Sequence, residues 1–357
     1  MAFFAMLRRP DWLEKTRMNR NELNAVALAM VGNGKGILAA DESTPTIGKR
    51  FATINTESTE ASRQRYREML FTTPGIADYI GGVILFDETL RQSTSDGVPF
   101  AKYLDDLGII PGIKVDTGAK PLAGFPGETV TEGLDGLRDR LTEYYELGAR
   151  FAKWRAVINI GADIPSDFCM QANGRALARY AALCQEANIV PIVEPEVLMD
   201  GDHSIVRCEE VTDAALDALF TALAEHKVVL EGIILKPNMV ISGSVAADRA
   251  GRAEVAAATL RCLQAHVPAN VPGIAFLSGG QTAEEATEHL DIMNKTGDLP
   301  WELSFSYGRA LQAPALDAWQ GQEDNFAAGQ AALFKRAKFN SLAHAGSFDT
   351  AMESATV

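Results

Sequence analysis

The sequence predicts an α/β chain folded as a closed (β/α)8 TIM barrel, and two patterns carry that prediction. Eight short apolar runs rich in Val and Ile recur along the 357 residues, and segments of helical periodicity separate most of them. Near-continuous apolar strands alternating with helices mean a parallel sheet covered on both faces. Eight such units suit a barrel of about 250 residues, with length left for extensions and long loops. An open doubly wound sheet is the competitor, but no G-x-G-x-x-G opens a helix after the first strand.

All 357 residues are expected in one domain: an N-terminal helical extension (1–33), the barrel (about 34–312), and a C-terminal helical segment and tail (313–357). Strands are expected in "GILAADES" (36–43), "YIGGVILFDE" (79–88), "IIPGIKVD" (109–116), "ARFAKWRAVI" (149–158), "IVPIVEPEVL" (189–198), "VVLEGIILKP" (228–237), "GIAFLSGG" (273–280) and "WELSFSYGRAL" (301–311). Helical periodicity marks 131–148, 171–187, 212–227 and 251–265, with Thr131 and Thr212 as capping residues. Thr282 opens a further helix with acids in its first turn. Residues 44–61 and 120–130 read as long loops, and 165–174 as a variable loop in which Cys169 is a bystander. No Gly/Ser linker or composition shift divides the chain.

A net charge of −14 and the lack of a Lys/Arg-rich run argue against nucleic acid and anionic membrane as partners, so any anion site must be local. Cys169, Cys184, Cys208 and Cys262 are far apart with no C-x-x-C, as expected of reduced thiols in a cytosol. The five histidines form no H-x-x-x-H pair, and His203 in "MDGDHS" (199–204) reads as part of a polar turn. No metal site and no cofactor are therefore expected. The start "MAFFAMLRRPDW" has neither the leading basic segment nor the apolar length of a secretory signal or a membrane span, so the expectation is a cytoplasmic protein.

Polar residues gather where the expected strands end: Asp41, Asp87 and Glu88, Lys114 and Asp116, Lys153 and Arg155, Glu194 and Glu196, Lys236, Ser278 and Arg309. That end is the active face of a barrel. Alternate strand residues share a face, so Lys114 lies with Asp116, Lys153 with Arg155 and Glu194 with Glu196, while Trp154 and Pro195 point the other way. A single charge at a strand end is ordinarily a solvated loop neighbour, and Asp87 and Glu88 are read so. Lys236 differs, because "EGIILKPNMV" runs apolar up to it and Pro237 holds it extended, which carries it inward. A lysine kept near other cations and away from water gives up its proton readily and can attack a carbonyl to form a Schiff base. Glu194, Glu196 and Asp41 then supply general acid and base groups.

Phosphate recognition is visible separately. "LSGGQT" (277–282) ends a strand with Ser278, Gly279 and Gly280 and runs into a helix, whose free N–H groups can face an anion. "SYGRAL" (306–311), on the neighbouring strand of a closed barrel, adds Gly308 for close approach and Arg309 for a bidentate grip. A second cationic group, Lys49, Arg50 and Lys114, lies near the first and third strands. Two anionic ends with a carbonyl between them is the implied ligand.

"LAADEST", "GVILFDETL", "PGIKVD", "FAKWR", "IVPIVEPE", "LKPNMV", "FLSGGQ" and "FSYGRALQ" stand in the order and spacing of class I fructose-bisphosphate aldolase, which the chain resembles from about residue 20 to 345. The resemblance implies a (β/α)8 barrel, commonly a homotetramer, acting in glycolysis and gluconeogenesis. It would reversibly cleave fructose 1,6-bisphosphate to dihydroxyacetone phosphate and glyceraldehyde 3-phosphate without metal. By the same resemblance Lys236 is the Schiff-base lysine and Glu194 the principal proton-transfer residue. Asp41 handles the C4 hydroxyl, Lys153 supports the nucleophile and the carbinolamine, and Glu196 orders the group. Ser278, Gly279, Ser306, Gly308 and Arg309 would hold the ketone-side phosphate, and Ser43, Thr46, Arg50, Lys114 and Arg155 the other end of the sugar.

Three departures accompany the resemblance. The family usually reads "DESTGS", whereas Pro45 and Thr46 stand here; threonine keeps a hydroxyl, but proline removes a backbone N–H and stiffens the expected loop. Better-known members end in a tyrosine that aids proton exchange on the enamine, while this chain ends "AMESATV" and Phe348 has no hydroxyl. Cleavage is then expected to survive, with enamine protonation slow or served by another acid. The segment 165–174 matches nothing assignable. Competing readings are another Schiff-base lyase such as a transaldolase or deoxyribose-phosphate aldolase, a metal-dependent aldolase, and a non-enzymatic scaffold that binds partner proteins.

Overall fold

The computed structural model describes residues 18–354; the "MAFFAMLRRPDW" start lies outside the described residues. Among the described residues ten strands form: β1 (Gly36–Ala40), β2 (Ile80–Leu85), β3 (Ile110–Lys114), β4 (Ala119–Pro121), β5 (Thr129–Thr131), β6 (Phe151–Ile158), β7 (Val190–Val197), β8 (Ile234–Leu235), β9 (Gly273–Phe276) and β10 (Glu302–Tyr307). Eight of them, one from each expected run, close a parallel barrel in chain order, with β10 pairing back onto β1. β4 and β5 make a separate antiparallel hairpin. All eight residues of β7 are buried, as a strand covered on both faces requires, and so the sequence shows a run rather than an alternation.

The barrel is plugged from below. Asn19 caps the helix Arg20–Val31 by accepting the Glu22 N–H, and Leu23, Ala27, Met30 and Val31 fall on one face of it. They pack against Ile37, Ile84, Phe151, Ile192 and Ile234, which point into the barrel. Each fully buried Leu or Met there contributes about 1.5–3 kcal/mol. Phe151 fits because Gly112 stands directly opposite it; a Cβ on Gly112 would lie 2.2 Å from its ring. Trp154, one pleat from the cavity, instead stacks on Tyr180 of the helix Asp167–Glu186, with ring centroids 5.5 Å apart.

Several expected boundaries move. Thr131 ends β5, where its hydroxyl donates to the Arg155 carbonyl at 2.6 Å; the helix there begins at Leu137, after Gly136 in the left-handed region. Thr212 lies inside the helix Ile205–Glu225, whose cap is Ser204. Thr282 is a cap, in a reciprocal box with Glu285. Residues 44–61 contain the helix Thr44–Ala52, with Pro45 in its first turn, and 120–130 contain most of the hairpin. Residues 165–174 are mostly the first turns of the helix Asp167–Glu186, where Cys169 is buried and packs its sulfur 3.5 Å from the Thr129 carbonyl. The last barrel helix, Arg309–Trp319, runs past 312. After the helix Phe326–His344 the tail turns back. Its Phe348 N–H donates to Asp291 at 2.9 Å, and Glu353 pairs with Arg336.

Candidate active site

The strand register sets the site. Lys114 stands opposite Lys153 across β3 and β6, and Arg155 opposite Glu194 across β6 and β7. Lys236 extends the ladder one residue beyond β8, its N–H donating to the Val193 carbonyl at 2.9 Å, so Pro237 does hold it in strand direction. Asn238, two residues on, accepts the Val197 N–H at 3.0 Å and pins the end of β7 beside Glu196.

At the C-terminal ends of the strands lies a cavity of about 400 Å³. Asp41, Lys153, Glu194, Glu196 and Lys236 line it. So do Ser43, Thr46, Arg50, Lys114 and Arg155, and Ser278, Gly279, Ser306, Gly308 and Arg309. Every residue to which the resemblance assigns a catalytic or substrate-binding role is thus in one cavity. Lys49 is exposed and does not line it. Asp87 and Glu88 also lie elsewhere, paired with Arg91 and Arg63.

The innermost groups form a chain of alternating charge. Asp41 Oδ2 is 2.6 Å from Lys153 Nζ, which is 3.5 Å from Glu194 Oε2; Glu194 Oε1 is 3.2 Å from Lys236 Nζ. Burial alone would raise the Asp41 carboxyl, but the charges of Lys153, Lys236 and Lys114, with the Lys153 hydrogen bond, outweigh it and hold Asp41 well below the usual carboxylate range. Glu194 is lowered in the same way, its burial being overcome by Lys236, Lys153 and Arg155. Burial opposes the Lys153 charge, yet Asp41, Glu194 and Asp116 raise its pKa far above the ordinary lysine value. All three groups are therefore charged at neutral pH. Farther out Arg155 pairs with Glu196, and Asp116 lies 3.6 Å from Lys114 and accepts the Arg155 N–H at 3.4 Å.

On the β9 and β10 side, the Ser306 hydroxyl is buried without a partner, and Arg309 donates to the Gln281 carbonyl at 3.3 Å. Gly279 stands close to Met199, whose terminal methyl would lie 2.3 Å from a Cβ there and would have to move aside. After β1, the Ser43 and Thr46 hydroxyls are 3.0 Å apart at the start of the helix Thr44–Ala52. Pro45 removes an N–H that has no partner within the helix, so its fixed φ suits the position instead of distorting a loop. Arg50 Nη2 would lie only 3.7 Å from a Cβ on Gly308, which sets this arginine beside the end of β10 as well. Sequence reasoning missed Glu42, a buried wall residue and the second acid of "ADES".

His203 lies in the turn after β7, where its carbonyl accepts the Gly243 N–H at 2.8 Å. Among the described residues no group of three His, Cys, Asp or Glu side chains is placed to hold a metal ion. Nor is any helix there long and apolar enough to cross a membrane.

The profile of the family described as fructose-bisphosphate aldolase class-I matches residues 22–357. The chain belongs to that family. Membership makes the chain a carbon–carbon lyase. A probable fructose-bisphosphate aldolase class 1 of Xanthomonas campestris pv. campestris is 62% identical over 330 residues, covering 92% of this chain and 99% of that relative. The cytosolic fructose-bisphosphate aldolase 4 of Arabidopsis thaliana is 54% identical over 328 residues, covering 92% and 84%. Among solved structures, Plasmodium falciparum fructose-bisphosphate aldolase, crystallised with TRAP and a small-molecule inhibitor, superposes with a TM-score of 0.91 at 48% identity, covering 92% and 96% of the two chains.

Proposed function

We propose that this aldolase reversibly cleaves fructose 1,6-bisphosphate to dihydroxyacetone phosphate and glyceraldehyde 3-phosphate through a Schiff base on Lys236, with no metal required. The observation that carries the reading is the buried charge chain Asp41, Lys153, Glu194, Lys236 at the base of the cavity. Glu194, 3.2 Å from Lys236 Nζ, takes a proton from the ammonium and frees the amine to attack the C2 carbonyl. The same carboxyl then protonates the carbinolamine hydroxyl, which leaves as water and gives the iminium. Asp41, kept ionised by Lys153, accepts the C4 hydroxyl proton as the C3–C4 bond breaks. The bonding pair moves into the iminium, glyceraldehyde 3-phosphate departs and an enamine remains. Protonation at C3 and hydrolysis release dihydroxyacetone phosphate and the free lysine.

Lys153, between both carboxylates, stabilises the negative charge that develops on oxygen, and the Arg155 pair fixes Glu196. Ser278, Gly279, Ser306, Gly308 and Arg309 hold the ketone-side phosphate; Ser43, Thr46, Arg50, Lys114 and Arg155 hold the other end. The family's usual assembly supports a homotetramer, and the relatives named cytosolic support a cytoplasmic location.

Borohydride trapping tests the mechanism. Reduction of the protein with fructose 1,6-bisphosphate or dihydroxyacetone phosphate in excess EDTA leaves an adduct on Lys236 by peptide mass mapping, and Lys236→Met carries none. Turnover abolished by EDTA, or an adduct on another lysine, overturns the proposal.

A further inference from the structure

Behind Arg50 lies a buried ionic group with no part in the proton transfers. Glu42 is 8% exposed and Arg67 2%, and Arg67 Nη2 donates to Glu42 Oε2 at 2.6 Å. The other oxygen, Glu42 Oε1, accepts from Gln312 Nε2 at 2.8 Å and faces Arg50 Nη1. Gln312 is itself locked, donating to the Ala39 carbonyl at 2.6 Å and accepting from the Tyr66 hydroxyl at 3.1 Å. Arg50 and Glu42 line the cavity, whereas Arg67 and Gln312 do not.

We propose that Arg67 is a positioning residue whose buried charge cancels that of Glu42, so that Arg50 stays locked in place yet presents a full positive charge to a substrate phosphate. The charge count carries it. Glu42 with Arg50 alone is a neutral pair, and a carboxylate in the cavity wall repels a phosphate and offsets part of the attraction of the arginine. Adding Arg67 returns the group to one net positive charge. The guanidinium is also divided in use: Nη1 faces Glu42, while Nη2 points to where a Cβ on Gly308 would stand, 3.7 Å away, toward the phosphate contacts of β10. The fork is thus aimed before substrate arrives, which lowers the entropy lost on binding. The Glu42 carboxylate is satisfied on both oxygens, so it gives up none of its partners when phosphate enters.

This inference rests on the proposed substrate, so two measurements separate the claims. Cleavage of fructose 1,6-bisphosphate by the wild type decides the substrate; binding of inorganic phosphate, by calorimetry, decides the role of Arg67. Arg67→Met weakens phosphate binding roughly tenfold, the scale of one charge-assisted contact. It raises KM for the bisphosphate alike and leaves kcat within about twofold, since Asp41, Lys153 and Lys236 are untouched. Arg67→Lys, which keeps the charge, stays near wild type. Arg67→Met combined with Glu42→Gln recovers phosphate binding, which repair of a merely structural defect would not do. Should Arg67→Met fail to fold, Glu42→Gln alone decides: cancellation predicts tighter phosphate binding, whereas a purely geometric role for Glu42 predicts weaker. Unchanged binding in Arg67→Met, no recovery in the double variant, or weaker binding in Glu42→Gln overturns the proposal.

Discussion

Replacing Lys153 with Met removes the cation that lies 2.6 Å from Asp41 and 3.5 Å from Glu194. Among the charges that overcome the burial of Asp41, that of Lys153 is the largest, with Lys236 and Lys114 behind it. The variant keeps Asp41, Glu194 and Lys236 as a buried group of net negative charge. Removing one partner from such a group costs about 3–5 kcal/mol. Its pH dependence has a definite sign. In the wild type the Asp41 pKa is depressed, so its stabilisation is complete above the unfolded value of 3.8 and is lost as pH falls through the lower folded value. In the variant burial is no longer fully opposed, and a carboxyl of the Asp41 and Glu194 pair titrates above its unfolded value. Its contribution is then complete below the unfolded value and is lost as pH rises. The stability gap between the two proteins is therefore widest near neutrality and narrows toward pH 4. Urea unfolding at matched protein concentration across that range measures it, and kcat at pH 7 falls by about 10²–10⁴ through loss of the ionised Asp41 base. A gap below about 1 kcal/mol at pH 7, typical of an exposed pair, or one that does not change with pH, would refute the coupling.

Gly112→Ala pushes a methyl group into the Phe151 ring at 2.2 Å and costs about 1–3 kcal/mol by overpacking; Phe151→Leu in the same chain recovers part of it in urea unfolding. Phe348→Ala empties a site 3% exposed, where the ring lies 5.6 Å from Phe339, and costs about 3–5 kcal/mol. Its kcat, assayed at 25 °C, stays at the wild-type value, because Phe348 packs near Asp291 on the outer helix layer and not at the cavity.

The barrel was readable because its strands are buried on both faces, which leaves eight apolar runs that no surface element imitates. What escaped lacks such a mark. The helix Thr44–Ala52 buries only Ile47 and Phe51, a single i, i+4 pair, too short a stretch for a period to emerge. β4 is three exposed residues, Ala119–Pro121, held by its partner strand and not by a core. Thr212 fails as a cap because the helix starts earlier, at Ser204, and the hydroxyl serves instead as acceptor for Asn238 at 3.1 Å.

The cavity was readable for a different reason: residues two apart on a strand share a face, and the closed sheet turns those faces inward. That rule says which side chains meet, but not how high each stands. The expectation for Lys236 was a lysine crowded by cations. The register decides otherwise, for Val193 pairs with Leu235, which sets Glu194 level with Lys236 and interposes its carboxylate between the two lysines. Activation of the Lys236 amine in the proposed reaction thus depends on a proton acceptor already 3.2 Å away more than on repulsion from Lys153. Glu42, Arg67 and Gln312 were beyond reach for a related cause. Arg67, on a helix between β1 and β2, is 25 positions from Glu42 and 245 from Gln312, which the closure of β10 onto β1 brings to them, and no spacing rule joins residues so far apart. A local pattern can thus locate the groups that line the cavity, whereas the charges behind them sit one layer back, on elements that only the folded barrel brings together.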